Sequence, residues 1–410
     1  MIFADTDKMK FRIFPPFLVF ALVFAFTLSQ EPATALDYVR FIHQGKEQNE
    51  EGRVTLEETN EFGFESRDGQ FYIFMAEPPE NVRNRKNIIE TKNILSRTSD
   101  DIPFAPYSKA EMLERLKVEF PTGEGYYHLD MQPFIVVYTT SSPFANWYGN
   151  LLKKLYNDYI SYWRQQGVQL TVPEFPLVAI MFSNEARFRQ YTQQEGVSLF
   201  LEQRAYYHKL ANRIVMYDIT GQQAFQENVQ RRQTVNDAQR FRSQPNNIMN
   251  VVHEAVHLVG FNTGMHPRNA PNPVWLYEGL AVLHEVPDTK NPSGWTIGPY
   301  VNRPRLDQLR RFLNHPHQES PIQRIQKMLQ DDNLFFTSTT ALDNYALAWG
   351  ITYYLAKKKP KELATYLKIL QAKTSESDDN ETIRITDFES VFGNNWDVFE
   401  RDFRNFISRQ

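Results

Sequence analysis

Cysteine is absent from this 410-residue chain. Disulfide bonds are therefore excluded, and so is a lipid-modified cysteine behind an export signal. The hydrophobic core and any bound metal must supply the stability of the fold. An exported chain without disulfides suits a bacterial periplasm or envelope better than a eukaryotic secretory route, although a cytosolic protein would also fit.

An excess of positive charge is also missing. Lys and Arg together number 45, Asp and Glu together number 49, and the formal net charge is −4. Nucleic-acid binders usually carry a basic face, so this charge balance predicts no nucleic-acid partner. Apolar residues make up 41% of the chain, with 31 Phe and 20 Tyr, and this content predicts a substantial core rather than wholesale disorder.

A hydrophobic run long enough to span a membrane is missing as well. The mostly apolar stretch from Phe17 to Leu28 follows Pro15 and Pro16. It holds about a dozen apolar residues, whereas a membrane-spanning helix needs ~20. We therefore predict no stable membrane span in the mature chain, with a retained membrane anchor as the alternative.

The same N-terminal stretch has the pattern of an export signal. Lys10 and Arg12 precede the apolar run, and Ala33 and Ala35 offer a small-x-small cleavage site. We predict a signal peptide over residues 1–35 and export to a bacterial periplasm, the cell envelope or the extracellular space.

The strongest motif in the chain is HEAVH, which begins at His253. In a helix, His253 and His257 lie one turn apart on the same face, so both imidazoles can bind one ion. Glu254 stands beside that ion, where its carboxylate can take a proton from a water molecule. Apolar residues recur here at helical spacing, and Pro245 and Gly260 are plausible start and stop positions.

A third ligand is needed, because a catalytic zinc normally has three protein ligands and one open position. We predict Glu278, which lies 21 positions after His257. Val274 to Ala281 indicates a second helix, with Asn272 as its N-cap and Pro273 in its first turn. A Pro- and Asn-rich turn lets this helix fold back on the first, so two histidines and a glutamate can hold one zinc per chain.

The two segments together resemble the gluzincin clan of zinc metallopeptidases. HEAVH, the step to Glu278 and the surrounding WLYEGLAVLHE match a pattern in which a WLxEGxA segment carries the third ligand. NVVHEAVHLVGFNTG with PVWLYEGLA also resembles a family of secreted bacterial proteins known only as a domain of unknown function in that clan. The resemblance covers the chain from about Pro133 to the C-terminus, and it is specific only in the two metal segments.

The resemblance implies roles for five residues of the two metal segments. Zinc ligands would be His253, His257 and Glu278, and the general base would be Glu254. Glu285 matches a glutamate common in the aminopeptidase branch and would support the ligands from behind.

Tyr345 is similar to a tyrosine of the aminopeptidase branch that helps to stabilise the oxyanion. Gly350 follows it by five positions, whereas the branch has its small residue three positions on. Ordinary helix packing of Tyr345 is the alternative. The GxMxN segment usual in that branch is absent, so recognition of a free N terminus is not implied and endopeptidase action stays open.

The fold implied by the resemblance is α+β and zincin-like, with a mixed sheet, the HExxH helix and a helical C-terminal lobe. The residue pattern ahead of the metal helix predicts the strands Phe134–Tyr138, Phe175–Phe182 and Arg213–Tyr217, separated by helices beginning near Ser142 and Asn184. Whether the strand at Ile214 forms the sheet edge, which can pair with an extended peptide, stays open.

Residues 36–130 are predicted to form a small β-rich domain ahead of a catalytic domain over residues 131–410. Arg53–Leu56 and Phe71–Met75 indicate strands, and Arg67 to Gln70 indicates a hairpin turn. We interpret this domain as packing or a lid, with a substrate- or envelope-binding module as the alternative.

Two polar stretches allow two interpretations each. Pro78 to Asp101 suits a linker or an exposed helix, and Gly221 to Asn247 suits a polar helix or a mobile insertion. Further helices are predicted over Leu306–Asn314, Asp343–Lys358 and, as an amphipathic pair, Phe388–Ile407.

The function favoured by these residues is hydrolysis of peptide bonds in a peptide or protein substrate by an exported zinc metallopeptidase. Two alternatives stay open: a catalytically inactive zincin-fold binding or scaffold protein of the cell envelope, and a zinc amidase acting on cell-wall amides. His266 and His284 are interpreted as surface or packing residues, with a position of His284 in the cleft as the alternative. The sequence does not specify the oligomeric state.

Overall fold

The computed structural model describes residues 36–43, 46–58, 61–75, 91–99, 101–197, 203–218, 245–288, 290–291, 293–315, 319–337 and 340–410. The predicted signal peptide and most of the polar stretch Gly221 to Asn247 lie outside these residues. The described part is a mixed α and β fold with two sheets, eleven α-helices and a β-rich N-terminal region. None of the described helices is both long and apolar enough to cross a membrane.

The N-terminal sheet has five strands in the order β4-β3-β2-β1-β5, and all its neighbours are antiparallel. Its strands are β1 (Asp37–His43), β2 (Lys46–Glu57), β3 (Glu61–Ser66), β4 (Phe71–Met75) and β5 (Thr91–Ser96). The predicted hairpin joins β3 to β4, with Gly69 at a φ of 81° that favours glycine. The linker or helix prediction is wrong for Thr91–Ser96, because pairing with β1 makes this polar segment a strand.

The second sheet is mixed and has the order β6-β7-β8-β10-β9. Its strands are β6 (Tyr127–Met131), β7 (Phe134–Tyr138), β8 (Leu177–Phe182), β9 (Ala205–His208) and β10 (Arg213–Tyr217). The pairs β7–β8 and β8–β10 are parallel, and the two outer pairs are antiparallel. The strand at Ile214 is therefore internal, and the two edge strands are β6 and β9, neither of which the sequence pattern predicted. The predicted domain boundary at residue 130 falls inside β6.

Helices cover both faces of this second sheet, which explains why its three central strands are continuous apolar runs. On one face, Ile135 and Val137 pack against α1 (Lys109–Glu119) and α3 (Glu185–Gln194). On the other face, Phe134 and Val136 join a larger core that includes α2 (Ser142–Gln165) and the HEAVH helix. The sheet thus forms the floor on which the HEAVH helix lies.

The C-terminal part of the chain is helical. Its helices are α4 (Pro245–Asn262), α5 (Val274–His284), α6 (Arg303–Asn314), α7 (Pro321–Gln330), α8 (Ala341–Lys358), α9 (Pro360–Gln371), α10 (Glu381–Phe392) and α11 (Trp396–Ser408). The central helix is α8, which is buried along most of its length and contacts α5, α6, α7, α9 and α11. The helix α4 carries HEAVH and lies between the second sheet and this lobe.

The predicted end of α4 at Gly260 is wrong, because the helix continues to Asn262. Gly260 instead leaves room for a neighbouring side chain. A Cβ at this position would lie 3.2 Å from the Cδ2 atom of His266. Tertiary packing therefore explains this glycine better than a helix stop does.

The predicted N-cap of α5 is also wrong. Pro273 occupies the cap position, and the Asn272 side chain instead donates to backbone carbonyls of the preceding turn. The first N–H of the helix, that of Val274, donates to Asp332 Oδ1 over 2.9 Å. A residue distant in sequence therefore accepts the hydrogen bond of the first helical N–H, and no local sequence pattern could have revealed this contact.

The packing of α5 against α8 depends on Gly279. A Cβ at this position would lie 2.9 Å from the carbonyl oxygen of Ala348 and closer still to Thr352 Oγ1. The absent side chain therefore lets the two helix backbones approach closely. Because Gly279 follows Glu278, this contact also fixes the position of the predicted third ligand.

We predict that Gly279→Ala destabilises the protein. Alanine gains about 1 kcal/mol in helix propensity, but overpacking against a helix backbone costs about 1–3 kcal/mol. Because the added Cβ would lie so close to Ala348 and Thr352, we expect a cost at the upper end of that range. The urea midpoint should fall relative to the wild type. Gly123→Ala is the matched control, because a Cβ there meets no atom within 4 Å. Equal midpoints for both variants would contradict this account of α5 packing.

Candidate metal centre

The two histidines of HEAVH project from one face of α4, as the helix period requires. The Nε2 atoms of His253 and His257 lie 3.2 Å apart. His257 is buried, whereas the side chain of His253 keeps 17% of its surface exposed. The pair is therefore accessible from one side, towards His253.

Glu278 on α5 completes a triangle of donor atoms. Its Oε2 atom lies 3.2 Å from His253 Nε2 and 3.5 Å from His257 Nε2. This oxygen is buried and accepts no well-aligned hydrogen bond within the described part of the chain. Metal–ligand bonds of ~2.0–2.1 Å in a tetrahedron place ligand atoms ~3.3 Å apart. The three side chains could therefore hold a metal ion, although their assignment as zinc ligands stays a prediction.

The charges of the cluster compensate one another. Burial lowers the pKa of His253, but the carboxylates of Glu278 and Glu285 outweigh burial and raise that pKa well above its usual value. Burial opposes ionisation of Glu278, but the two imidazoles hold its pKa well below its usual value. A carboxylate and a cation thus share the site, and a bound metal would take the place of the proton.

Glu254 lies beside the triangle with its carboxylate held by the sheet edge. The backbone N–H of Tyr207 in β9 donates to Glu254 Oε2 over 2.8 Å. Burial raises the pKa of Glu254, and the nearby histidines only partly offset this shift. Tyr207 was not predicted as a functional residue, because a backbone donor leaves no signature in sequence.

Aromatic rings fix the orientation of His257. The ring of Tyr207 lies nearly parallel to its imidazole, with centroids 6.4 Å apart, and the ring of Tyr277 meets its imidazole edge-on at 5.6 Å. Tyr277 immediately precedes Glu278, so α5 supplies a donor atom and also a wall of the site.

Glu285 lies behind His253 and contacts its imidazole, and its role in supporting a metal ligand stays a prediction. Its Oε2 atom lies 2.8 Å from His253 Nδ1, and its Oε1 atom accepts a hydrogen bond from Asn302 Nδ2 over 2.9 Å. Both carboxylate oxygens are thereby engaged, and the imidazole is held with Nε2 towards the cluster. Asn302 was missed, and its only sequence signal is its cap position ahead of Arg303-Pro304.

Tyr345 faces the cluster from α8. Burial raises its pKa well above the usual value, and the negative charges of Glu278 and Glu254 add to this shift. The guanidinium of Arg305 lies over its ring, 5.6 Å from the centroid. Gly350 serves helix packing, because a Cβ there would collide with Leu309 Cδ2. An oxyanion role for Tyr345 stays a prediction.

The two remaining histidines of this region pack in the core. His266 is 3% exposed and His284 is 1% exposed, so a surface position for either and a cleft position for His284 are wrong. The ring of His284 meets three aromatic rings edge-on, those of Tyr159, Tyr162 and Trp163.

The comparison with known proteins identifies one family in this region. A family model described as a protein of unknown function (DUF1570) matches residues 247–376. The matched segment contains His253, Glu254, His257, Glu278 and Glu285. No curated protein matches the chain.

We predict that Glu285→Ala weakens zinc binding by about 10- to 100-fold, because His253 loses the partner that orients its ring. Asn302→Ala should weaken it less. Competition with a chromophoric chelator measures both affinities, and Glu376→Ala, at an exposed position, is the control. Unchanged affinity in Glu285→Ala would refute the supporting role.

We predict that His284 makes the fold acid-sensitive. Burial lowers its pKa from 6.5 to about 3, so as pH falls below 6.5 the unfolded chain binds a proton that the folded chain cannot. The free energy of unfolding should then drop by about 1.4 kcal/mol per pH unit from this group. His284→Phe removes this titration. Between pH 6.5 and 5, the free energy of unfolding of the variant should therefore fall by about 2 kcal/mol less than that of the wild type. Urea unfolding at each pH, with a chelator present, measures this free energy for both proteins. Parallel pH profiles of the variant and the wild type would contradict the proposed role of His284.

Proposed function

We propose that this chain is an exported zinc metallopeptidase of gluzincin type that hydrolyses peptide bonds with Glu254 as general base. One observation carries the proposal: the triangle of Nε2, Nε2 and Oε2 atoms, with separations of 3.2, 3.2 and 3.5 Å, matches the ~3.3 Å edge of a zinc tetrahedron. Two nitrogens and one carboxylate oxygen are also the donor set of known catalytic zinc sites. The buried and unbonded Glu278 Oε2 supports this fit.

The arrangement of the fold supports a zincin-like interpretation. A mixed sheet lies ahead of the HEAVH helix α4, and a helical lobe follows it. The edge strand β9 lies directly beside Glu254, because its Tyr207 N–H binds that carboxylate. An extended peptide added to this edge would pass the reacting groups.

The carboxylate of Glu254 moves the protons in the proposed reaction. When bound, zinc supplies a Lewis acid that polarises a carbonyl group and makes a water molecule more acidic. Glu254 takes a proton from that water and returns it to the leaving amine. The Tyr207 N–H occupies Oε2, which leaves Oε1 for the proton.

Tyr345 is proposed to stabilise the negative charge that develops on the carbonyl oxygen. Its hydroxyl can donate a hydrogen bond at neutral pH, because its raised pKa keeps it protonated.

We predict that the purified wild type holds about one zinc per chain and that Glu254→Gln keeps this zinc but loses hydrolysis of a broad peptide library by at least about 100-fold. A His253→Ala, Glu278→Ala double variant should lose both zinc and hydrolysis. Glu376→Gln is the matched control and should keep both.

The outcomes separate the alternatives. Full zinc content in the double variant would overturn the ligand assignment. A zinc-loaded wild type that cleaves no peptide would favour the inactive scaffold, unless cell-wall muropeptides are cleaved, which would favour the amidase.

A further inference from the structure

An open cavity lies beside the candidate metal centre. Its volume is about 530 Å³, and it is lined by Met249, Asn302, Pro304, Arg305, Asp307, Gln308, Arg311 and Leu342. Two contacts connect its wall to the cluster. Asn302 holds Glu285, which holds His253, and Arg305 lies over the ring of Tyr345.

The two arginines in this lining differ from Arg268 and Arg384, which are paired with carboxylates. Arg268 is ion-paired with Glu65, and Arg384 is ion-paired with Asp332. By contrast, neither Arg305 nor Arg311 forms an ion pair with a carboxylate of the described residues. Arg311 donates to Gln308 Oε1 over 2.8 Å, and Arg305 rests on an aromatic face.

Two guanidinium groups facing one cavity make it suited to an anion, because guanidinium forms paired hydrogen bonds with carboxylate geometry. The lining also contains Asp307, and the lining residue Gln308 donates a hydrogen bond to the carboxylate of Asp343. These two acidic groups offset part of the positive charge, which favours a singly charged carboxylate over a doubly charged phosphate group. Met249 and Leu342 add apolar surface that can contact the methylene groups carrying such a carboxylate.

We propose that this cavity is the subsite that selects the substrate, by binding a carboxylate next to the scissile bond. The inference rests on the proposed peptidase function and names its substrate class. The carboxylate has two sources in a peptide, an acidic side chain or the free C-terminus. Arg305 is the specificity-determining residue, because it contacts both the cavity and Tyr345, and Arg311 assists it.

The first experiment measures preference in the zinc-loaded wild type. Peptides that differ only by Glu or Gln at each position around the cleavage site are compared, each with a free and with an amidated C-terminus. We expect kcat/KM to be about 10- to 100-fold higher for the preferred carboxylate, as for a hydrogen-bonded ion pair. A Glu preference identifies a side chain, and a loss on amidation identifies the C-terminus. Equal rates for all four peptide types would overturn the subsite while leaving the peptidase function intact.

The second experiment assigns the preference to Arg305. In Arg305→Glu the carboxylate preference should disappear and a Lys-containing peptide should become the better substrate, with the change mainly in KM because the contact is equal in ground and transition states. Arg305→Lys should keep part of the preference, and Arg311→Gln should reduce it less. Arg303→Gln is the control on the same helix, because Arg303 bonds the Gln410 carbonyl oxygen outside the cavity. A preference unchanged in Arg305→Glu would refute the assignment.

A binding measurement separates failure of the subsite from failure of the peptidase proposal. Fluorescent Glu and Gln peptides are titrated into zinc-loaded Glu254→Gln protein, with thermal midpoints confirming that each arginine variant is folded. Tighter binding of the Glu peptide by about tenfold, lost in Arg305→Glu, would support the subsite even if the wild type cleaved no peptide. Equal binding of both peptides would overturn it.

Discussion

The close approach of α5 to α4 is the constraint on which the rest of the structure depends. It brings one carboxylate oxygen of Glu278 within 3.5 Å of two imidazole nitrogens in a buried setting. Such a cluster is costly to desolvate unless its charges are matched. The carboxylates around His253 supply that match, and the Gly279 contact with α8 and the Asp332 cap hold α5 in place.

The second sheet and the helical lobe supply different parts of the site. The lobe brings Glu278, Glu285, Asn302 and Tyr345, whereas the sheet edge supplies the N–H that holds Glu254. The sheet and the helical lobe therefore have to pack correctly before Glu254 and the donor triangle can meet. Rigid supporting elements of this kind are what a preorganised site needs.

The N-terminal sheet braces the turn that follows the edge strand. Phe71 N–H donates to the Leu210 carbonyl oxygen over 2.7 Å, and Arg268 pairs with Glu65 over 2.8 Å. These contacts favour the packing interpretation of this sheet, because they connect it to the β9–β10 turn and to the turn between α4 and α5. The family match over residues 247–376 includes Arg268 but does not extend to either sheet.

The sequence by itself determined the elements whose signals are local. Helix periodicity places His253 and His257 on one face, and apolar runs identify β7, β8 and β10 as buried strands. The short strand β9 and the polar strand β5 were not predicted, because pairing with strands distant in sequence determines whether such segments become strands. Glu278 was found only through its motif setting and its resemblance to a known pattern.

Only the tertiary structure decided how the site closes. The Tyr207 N–H on Glu254, the Asn302 amide on Glu285 and the Asp332 cap on α5 each join residues far apart in the chain. The position of Arg305 over the ring of Tyr345 likewise became visible only once the helices were packed. Local spacing can place two ligands on one helix, but it cannot determine which distant backbone or side-chain group will satisfy them.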